Sequence, residues 1–212
     1  MVAVRDVLRE EGLRTICQGA QCPNAVECWG ARTATFLLLG GVCTRACRFC
    51  AVPRAARGEP LDPEEPERVA AGVRRLGLRY IVLTSVDRDD LPDAGAEAIA
   101  ATVRAVKVAS PGVRVEVLLP DFSGNSDSLD RVLASGADVL GHNVETVRRR
   151  SPALRDARAS YDQSLSVLAT LHERGGGRPV KSGLMLGLGE EAAEVRETMN
   201  DLRCAGVSIL TL

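Results

Sequence analysis

The sequence predicts an α/β fold in which six parallel strands, each joined to the next by a helix, form part of a barrel. Short apolar runs alternate along the chain with longer segments whose apolar residues recur at helical spacing. Several of these segments open with Asp, Ser or Glu and close with Gly, as helix ends commonly do. Six units are fewer than the eight of a closed barrel, so the pattern predicts a partial, TIM-like (β/α)6 barrel preceded by a cysteine-bearing N-terminal loop.

Each strand candidate is a short apolar run bounded by glycine or polar residues. The strands are predicted at FLLLGG (36–41), RYIVLTS (79–85), VRVEVLLP (113–120), ADVLGHN (137–143), VKSGLMLGLG (180–189) and GVSILTL (206–212). The helices between them are predicted at residues 62–77, 94–110, 126–136, 160–175 and 190–206. A short amphipathic helix over roughly residues 4–11 begins the chain, and a loop follows it.

The composition argues against several classes of partner. The 212 residues hold 27 Lys plus Arg and 28 Asp plus Glu, so a net charge of -1 predicts no binding to nucleic acid. No apolar run approaches the ~18 residues that span a bilayer, and the start of the chain lacks the apolar core of a signal peptide. We therefore expect no membrane partner and no export from the cell.

Cysteine is the unusual component. There are seven, and six of them lie between Cys17 and Cys50, a clustering that favours metal binding over disulfides. In VCTRACRFCAV, Cys43, Cys47 and Cys50 follow the first predicted strand, and three thiolates would leave one iron of a four-iron cluster open. A zinc site completed by His142 or by another cysteine is the alternative. Cys204 is predicted to be a buried apolar side chain.

Polar residues and glycines gather where the predicted strands end, the edge at which parallel α/β sheets bind ligands. They are Thr84, Ser85 and Asp87 after the second strand, Asn143 and Glu145 after the fourth, and Gly187 and Gly189 after the fifth. Loop and helix capping is the alternative for Asn143 and Glu145, and a plain turn is the alternative for Gly187 and Gly189. The acids of DRDD (87–90) favour an ion-paired loop over a carboxylate metal site, and Lys181 is predicted to lie at the surface.

The CxxxCxxC spacing followed by βα repeats resembles the radical S-adenosylmethionine superfamily. CQGAQCPNAVECW adds Cys17, Cys22 and Cys28 with a spacing that is similar to the auxiliary-cluster motif of the lipoyl synthase family. YIVLTSVDRDDLPD, EVLLPDF, HNVETV, YDQSLSVL and KSGLMLGLGE also resemble segments of that family, in the same order. The resemblance divides the chain into residues 1–34, a helix and auxiliary-cluster loop, and residues 35–212, the partial barrel.

The resemblance implies two [4Fe-4S] clusters and S-adenosylmethionine as cofactors. Cys43, Cys47 and Cys50 would hold the first cluster, and Cys17, Cys22 and Cys28 the second. The cofactor-binding residues it implies are Phe49, matching an aromatic position of the superfamily, Thr84, Ser85 and Asp87 near the methionyl amine, Asn143 and Glu145 near the ribose or methionyl part, and Gly187 and Gly189 near the adenine. A core aromatic is the alternative for Phe49. No further catalytic side chain is predicted.

The implied activity is radical insertion of two sulfur atoms at carbons six and eight of a protein-bound octanoyl group. Unactivated C–H bonds resist acid and base chemistry, so the cofactor supplies the difficult step. The implied partners are an octanoylated lipoyl carrier protein or lipoyl domain and a ferredoxin- or flavodoxin-type reductant. Because iron-sulfur clusters need a reducing interior, the expected location is a bacterial cytoplasm, a mitochondrial matrix or a plastid. The sequence ends before the family's C-terminal Arg-Ser-Ser-Tyr segment, so a truncated, inactive or split-enzyme fragment that binds only iron-sulfur or zinc is the alternative function.

Overall fold

The computed structural model describes residues 2–212, and its centre is one six-stranded parallel sheet in the order β1-β2-β3-β4-β5-β6. The predicted α/β class and the open, six-stranded arrangement are confirmed. The strands are β1 (Thr33–Leu38), β2 (Tyr80–Ser85), β3 (Arg114–Leu118), β4 (Val139–Gly141), β5 (Val180–Gly183) and β6 (Ile209–Thr211). No helix among residues 2–212 is long and apolar enough to cross a membrane.

Helices connect the strands at the predicted places. They are α1 (Val2–Glu10), α2 (Ile16–Gly19), α3 (Ala25–Gly30), α4 (Glu65–Arg75), α5 (Ala96–Ala109), α6 (Ser126–Leu133), α7 (Ser151–Leu154), α8 (Tyr161–Arg174) and α9 (Ala192–Cys204), with a 3-10 turn at Phe122–Gly124. N-cap side chains stabilise the first turn of two of these helices. At α6, Asn125 accepts a hydrogen bond from Ser128 N, and at α8, Ser160 accepts one from Gln163 N.

The first strand lies earlier in the sequence than predicted. β1 begins at Thr33 and ends at Leu38, because Leu39 and Gly40 have φ of 67° and 93° and turn the chain out of the sheet. The apolar run FLLLGG therefore contains the end of the strand and the turn after it. The predicted N-terminal loop also contains two short helices, α2 and α3, which pack against β1.

One row of side chains on the concave face of the sheet forms the base of the site. Leu37 pairs in register with Thr84, Thr84 with Leu118, and Leu118 with Gly141. Because side chains two residues apart share a face, the next row includes Val82 and Glu116. The carboxyl ends of the strands, and the loops that follow them, therefore stand directly above this layer.

A polar group occupies the barrel interior beneath that layer. Glu116 on β3 is only 4% exposed, and it accepts hydrogen bonds from Tyr80 Oη at 2.5 Å and from Lys181 Nζ at 2.8 Å. The prediction that Lys181 is a surface side chain is wrong, because β5 turns it into the barrel toward this carboxylate. Lys181 is half-buried and neutralises the buried Glu116 carboxylate, whose charge would otherwise be costly in the interior.

Candidate functional site

A cavity of about 220 Å³ opens at the carboxyl ends of the strands. The predicted site residues that line it are Cys43, Cys47, Phe49, Cys50, Thr84, Ser85, Asp87, Asn143 and Glu145. They come from three separate parts of the sequence, and the parallel sheet brings them together because every strand ends at the same edge. Arg45, Asp121 and Arg155, which were not predicted as site residues, also line the cavity.

The cysteine loop, residues 42–52, follows β1 and lies over the carboxyl ends of the strands, where it lines the cavity. Cys43 N donates to Pro53 O at 2.8 Å, and Ala55 N donates to Cys43 O at 3.1 Å, so the loop is closed at its base. Two thiols accept backbone hydrogen bonds: Cys43 Sγ from Arg45 N and Cys47 Sγ from Asp156 N, each at 3.4 Å. Cys43 is buried, Cys47 is half-buried and Cys50 is exposed.

Two thiols of this loop, Cys43 and Cys47, lie in surroundings that disfavour the thiolate form. Burial raises the pKa of Cys43 and of Cys47, and the backbone hydrogen bonds to each sulfur oppose that shift. Iron and zinc bind thiolates, so loading the site releases protons. Among residues 2–212, no three His, Cys, Asp or Glu side chains converge as they would around a single ion. A four-iron cluster takes one thiolate for each iron, so its ligands are spread around a larger core.

Arg45 ties the cysteine loop to the ends of two strands. Its guanidinium donates to Asp89 Oδ1 at 2.8 Å and to Asp121 Oδ1 at 2.7 Å, and it lies 3.4 Å from Asp87 Oδ1. Thr44 Oγ1 adds a bond of 2.8 Å to Asp89 Oδ2. The prediction that DRDD forms an ion-paired loop agrees with this arrangement. Arg45 and Asp121 are 76 residues apart in the sequence, so no local sequence pattern indicates that they pair.

Two acids inside the cavity are less acidic than usual. Burial raises the pKa of Asp87 to about 6, although the Arg45 charge opposes the shift. Burial also raises the pKa of Glu145, which the Asn143 side chain partly offsets. The pKa of Arg155 is lowered by burial, with Glu145 opposing. The cavity therefore holds charged groups that are poorly solvated and suited to binding an oppositely charged ligand.

Two residues of the cavity lining carry unpartnered hydrogen-bonding atoms. Ser85 Oγ and Arg155 Nε are buried and make no hydrogen bond with any described residue. Buried polar atoms are normally paired, because an unmade hydrogen bond costs about 1–3 kcal/mol. Glu145 adds backbone strain, since its φ of 68° lies in the left-handed region. Unpartnered buried atoms and local backbone strain are features that are common at ligand sites.

Comparison with known proteins identifies the relatives of this chain. Residues 37–202 match the Radical SAM superfamily. The chain is 55% identical over 212 residues to a lipoyl synthase from Pyrobaculum arsenaticum, covering 100% of this chain and 71% of the relative. It is 53% identical to a lipoyl synthase from Thermus thermophilus (99% and 65%) and 50% identical to a mitochondrial lipoyl synthase from Culex quinquefasciatus (99% and 56%).

The chain belongs to the lipoyl synthase family. Solved structures match the fold at much lower identity. Methylornithine synthase gives a TM-score of 0.64 at 14% identity, covering 98% of this chain and 61% of the other. SuiB from Streptococcus suis, solved with S-adenosylmethionine, gives 0.64 at 9% identity (88% and 43%). The hydrogenase maturase HydG gives 0.65 at 16% (85% and 44%). At these identities the likeness shows only the shared partial barrel.

The second cysteine set of this lipoyl synthase family member lies in the N-terminal segment, outside the cavity lining. Cys17 is in α2, Cys28 is in α3 and Cys22 lies between them. Burial raises the pKa of Cys28, and the nearby Cys17 and Cys22 raise it further. Ile16, the residue before Cys17, lines the cavity, which brings this set to the edge of the site.

The glycine loop after β5 is not part of the cavity lining. Gly187 and Gly189 have φ of 91° and 88°, which explains glycine there by backbone conformation alone. Arg149 Nη2 donates to Gly189 O at 3.0 Å, and Arg150 Nε donates to Leu188 O at 2.9 Å. These arginines therefore fix the loop beside α7, and the predicted adenine contact stays a prediction.

Two alternatives for the cysteines lose their support in the structure. His142 cannot complete a zinc site as it stands, because its Nδ1 bonds Leu119 O and its Nε2 bonds Ser164 Oγ, both at 2.9 Å. All seven cysteines are free thiols, so the disulfide alternative is not seen. The prediction that Cys204 is buried is wrong: it lies at the exposed last turn of α9.

Proposed function

We propose that this chain is a lipoyl synthase, which inserts two sulfur atoms at carbons six and eight of a protein-bound octanoyl group. One observation carries the proposal: the CxxxCxxC cysteines and the polar strand ends line a single cavity. Identity of 50–55% to named lipoyl synthases over essentially the whole chain supports the same function. The chain spans 71% of the length of the Pyrobaculum relative and 56% of the mosquito relative.

The cavity suits a [4Fe-4S] cluster with bound S-adenosylmethionine. Cys43, Cys47 and Cys50 supply three thiolates on one loop, and backbone N–H groups already point at two of the sulfurs. The unpartnered Ser85 hydroxyl supports a role in binding a polar atom of the ligand. When bound, the reduced cluster and S-adenosylmethionine supply the radical hydrogen abstraction that unactivated C–H bonds require.

The acidic, neutral and basic residues of the cavity suit different parts of S-adenosylmethionine. Asp87 and Glu145 offer carboxylates that suit the amine of S-adenosylmethionine, and Thr84 with Ser85 offers neutral hydroxyls beside them. The unpartnered Nε of Arg155 suits the ligand carboxylate. Asn143 lies against Gly183, where a Cβ would come within 2.8 Å of the Asn143 Oδ1, so this glycine leaves room for the amide. Phe49 closes the apolar side of the cavity beside the thiols.

The N-terminal cysteines have a separate role in this proposal. Cys17, Cys22 and Cys28 hold a second [4Fe-4S] cluster, from which the inserted sulfur comes. Their closeness to one another and the position of Ile16 at the cavity support this placement. The octanoyl group belongs to a lipoyl carrier protein or lipoyl domain, and a ferredoxin- or flavodoxin-type protein supplies electrons.

An activity assay separates the two cysteine sets. The anaerobically reconstituted chain is given an octanoylated lipoyl domain, S-adenosylmethionine and dithionite, and both 5'-deoxyadenosine and lipoyl product are measured. Cys50→Ser is expected to abolish both products, while Cys22→Ser abolishes only the lipoyl product. Cys204→Ser, on the exposed end of α9, is the matched control and is expected to retain both.

Two outcomes would overturn the proposal. If the folded, iron-loaded chain forms neither product, it is not a lipoyl synthase by itself. If Cys22→Ser loses deoxyadenosine as well, the division of roles between the two cysteine sets is wrong. A non-catalytic metal-binding module is the second candidate function, and stoichiometric zinc without acid-labile sulfide would support it.

A further inference from the structure

Residues 154–158, which run from the last residue of α7 into the connection to α8, lie directly against the cysteine loop. Arg48 N donates to Leu154 O at 2.8 Å, and Ala46 N donates to Asp156 Oδ2 at 2.8 Å. Arg158 Nη2 donates to Thr44 O at 2.6 Å. The loop is therefore held along its length by a segment about a hundred residues away in the sequence. None of these contacts involves a residue that was predicted to bind a cofactor.

The segment also reaches a ligand sulfur. Asp156 N donates to Cys47 Sγ at 3.4 Å. The direction of this N–H is fixed, because both carboxylate oxygens of Asp156 are engaged. Oδ1 accepts from Arg158 N at 3.0 Å and from Arg158 Nε at 2.8 Å, and Oδ2 accepts from Arg158 Nη2 at 3.1 Å and from Ala46 N. The Asp156–Arg158 pair thus positions a backbone dipole toward Cys47.

A hydrogen bond to a ligand sulfur changes how readily an iron-sulfur cluster accepts an electron. Reduction adds negative charge, part of which lies on the sulfurs, and an N–H aimed at sulfur stabilises that charge. The side-chain pair itself is neutral overall, so it adds little net charge to the site. Its main effect on a cluster would come through the position of the loop and of the Asp156 N–H.

We propose that residues 154–158 are a positioning element that raises the electron affinity of the cluster held by Cys43, Cys47 and Cys50, through the hydrogen bond from Asp156 N to Cys47 Sγ. This inference rests on the proposed function, because it requires those cysteines to hold the cluster. Asp156 and Arg158 are positioning residues: they act through the loop and touch neither reacting group.

The test compares two charge-neutral double variants. Asp156→Ala with Arg158→Ala removes the side chains that fix the segment while leaving the backbone N–H in place. Asp130→Ala with Arg174→Ala removes an exposed pair of the same residue types, 2.9 Å apart, between α6 and α8. Each chain is reconstituted anaerobically, and the midpoint potential is measured from the EPR signal that changes when S-adenosylmethionine is added.

The Asp156/Arg158 variant is expected to have a reduction equilibrium constant about tenfold lower, a shift of about 59 mV to more negative potential for a one-electron couple. Amide exchange of Ala46 and Arg48 in the metal-free chain should be about tenfold faster. The control pair should change neither. A cluster-loaded Asp156/Arg158 variant with an unchanged midpoint, or with unchanged exchange at both amides, overturns the inference.

A second variant and the behaviour of the unmodified chain separate failure of this inference from failure of the proposed function. If the double variant does not fold, Arg158→Lys is measured in the same way, because it keeps the positive charge and loses the two-point contact of Nε and Nη2 with the Asp156 carboxylate. The same two outcomes then apply to it. If the unmodified chain gives no signal that responds to S-adenosylmethionine, the proposed function fails. If that signal is present and only the variant's unchanged midpoint is found, the inference fails alone.

Discussion

The buried polar atoms of residues that line the cavity differ in whether the protein itself supplies their hydrogen-bond partners. Ser85 Oγ is buried without a partner, so its hydroxyl costs stability in the free chain. Asp121 is the opposite case, because both of its carboxylate oxygens bond Arg45. The same cavity wall therefore contains one group that is satisfied by the protein and one that is not.

Replacing Ser85 by Ala separates stability from binding. We expect the free energy of unfolding of the metal-free chain to stay the same or rise by about 1 kcal/mol, because an unpaired hydroxyl is removed. We expect S-adenosylmethionine to bind the reconstituted chain about tenfold more weakly. Ser151→Ala is the matched control, since Ser151 Oγ is also buried and unpartnered among the described residues but does not line the cavity. Equal ligand affinity in Ser85→Ala and Ser151→Ala would contradict this interpretation.

The buried His142 makes stability depend on pH. Burial lowers the pKa of His142 from 6.5 to about 4, so the unfolded chain takes up a proton before the folded chain does. The stabilisation from neutral His142 is present above 6.5 and is lost as the pH falls toward 4, by up to about 1.4 kcal/mol per pH unit. Replacing His142 by Gln should reduce that slope. Urea denaturation across this pH range measures it, and an identical slope in both chains would show that His142 does not titrate as described.

At the scale of elements, Arg45 joins the cysteine loop to the ends of β2 and β3. Arg45→Met would leave Asp87, Asp89 and Asp121 close together without their shared cation. We expect a loss of about 3–5 kcal/mol in the free energy of unfolding, as for other buried ion pairs that lose one partner. Arg9→Met, which breaks an exposed pair with Asp6, should change it by less than about 1 kcal/mol. A loss for Arg45→Met no larger than that of the control would show that the network does not stabilise the loop.

Elements with regular patterns were predicted from the sequence, and contacts between distant elements were not. The helices and strands followed from apolar periodicity, since strands such as β1 and β2 bury every second residue. The end of β1 was misplaced because the positive φ of Leu39 is not visible in an apolar run. Lys181 was misassigned because its partner Glu116 lies 65 residues away. The polar residues that follow β2 and β4 were predicted to lie together because the order and direction of the strands alone place them at one edge of the sheet.

Across the whole molecule, the parallel sheet determines which residues can meet. The cysteine loop follows β1, its acidic partners follow β2 and β3, and residues 154–158 follow β4. All these segments stand at one edge of the sheet, so a loop of about ten residues is fixed from both sides. Leu37 and Leu118, both half-buried, line the cavity, and Glu116, two residues before Leu118 on the same face of β3, pairs with Lys181. A rigid scaffold of this kind suits a site that must hold a reactive group away from water.

The proposed chemistry depends most on one feature of the site: Cys43, Cys47 and Cys50 hold a four-iron cluster whose open iron binds S-adenosylmethionine. The most direct test is the EPR spectrum of the anaerobically reconstituted, dithionite-reduced chain before and after S-adenosylmethionine is added. We predict a [4Fe-4S] signal whose g values change on addition, which persists in Cys22→Ser and disappears in Cys50→Ser. A spectrum that does not respond to S-adenosylmethionine, or that is unchanged by Cys50→Ser, would contradict the claim.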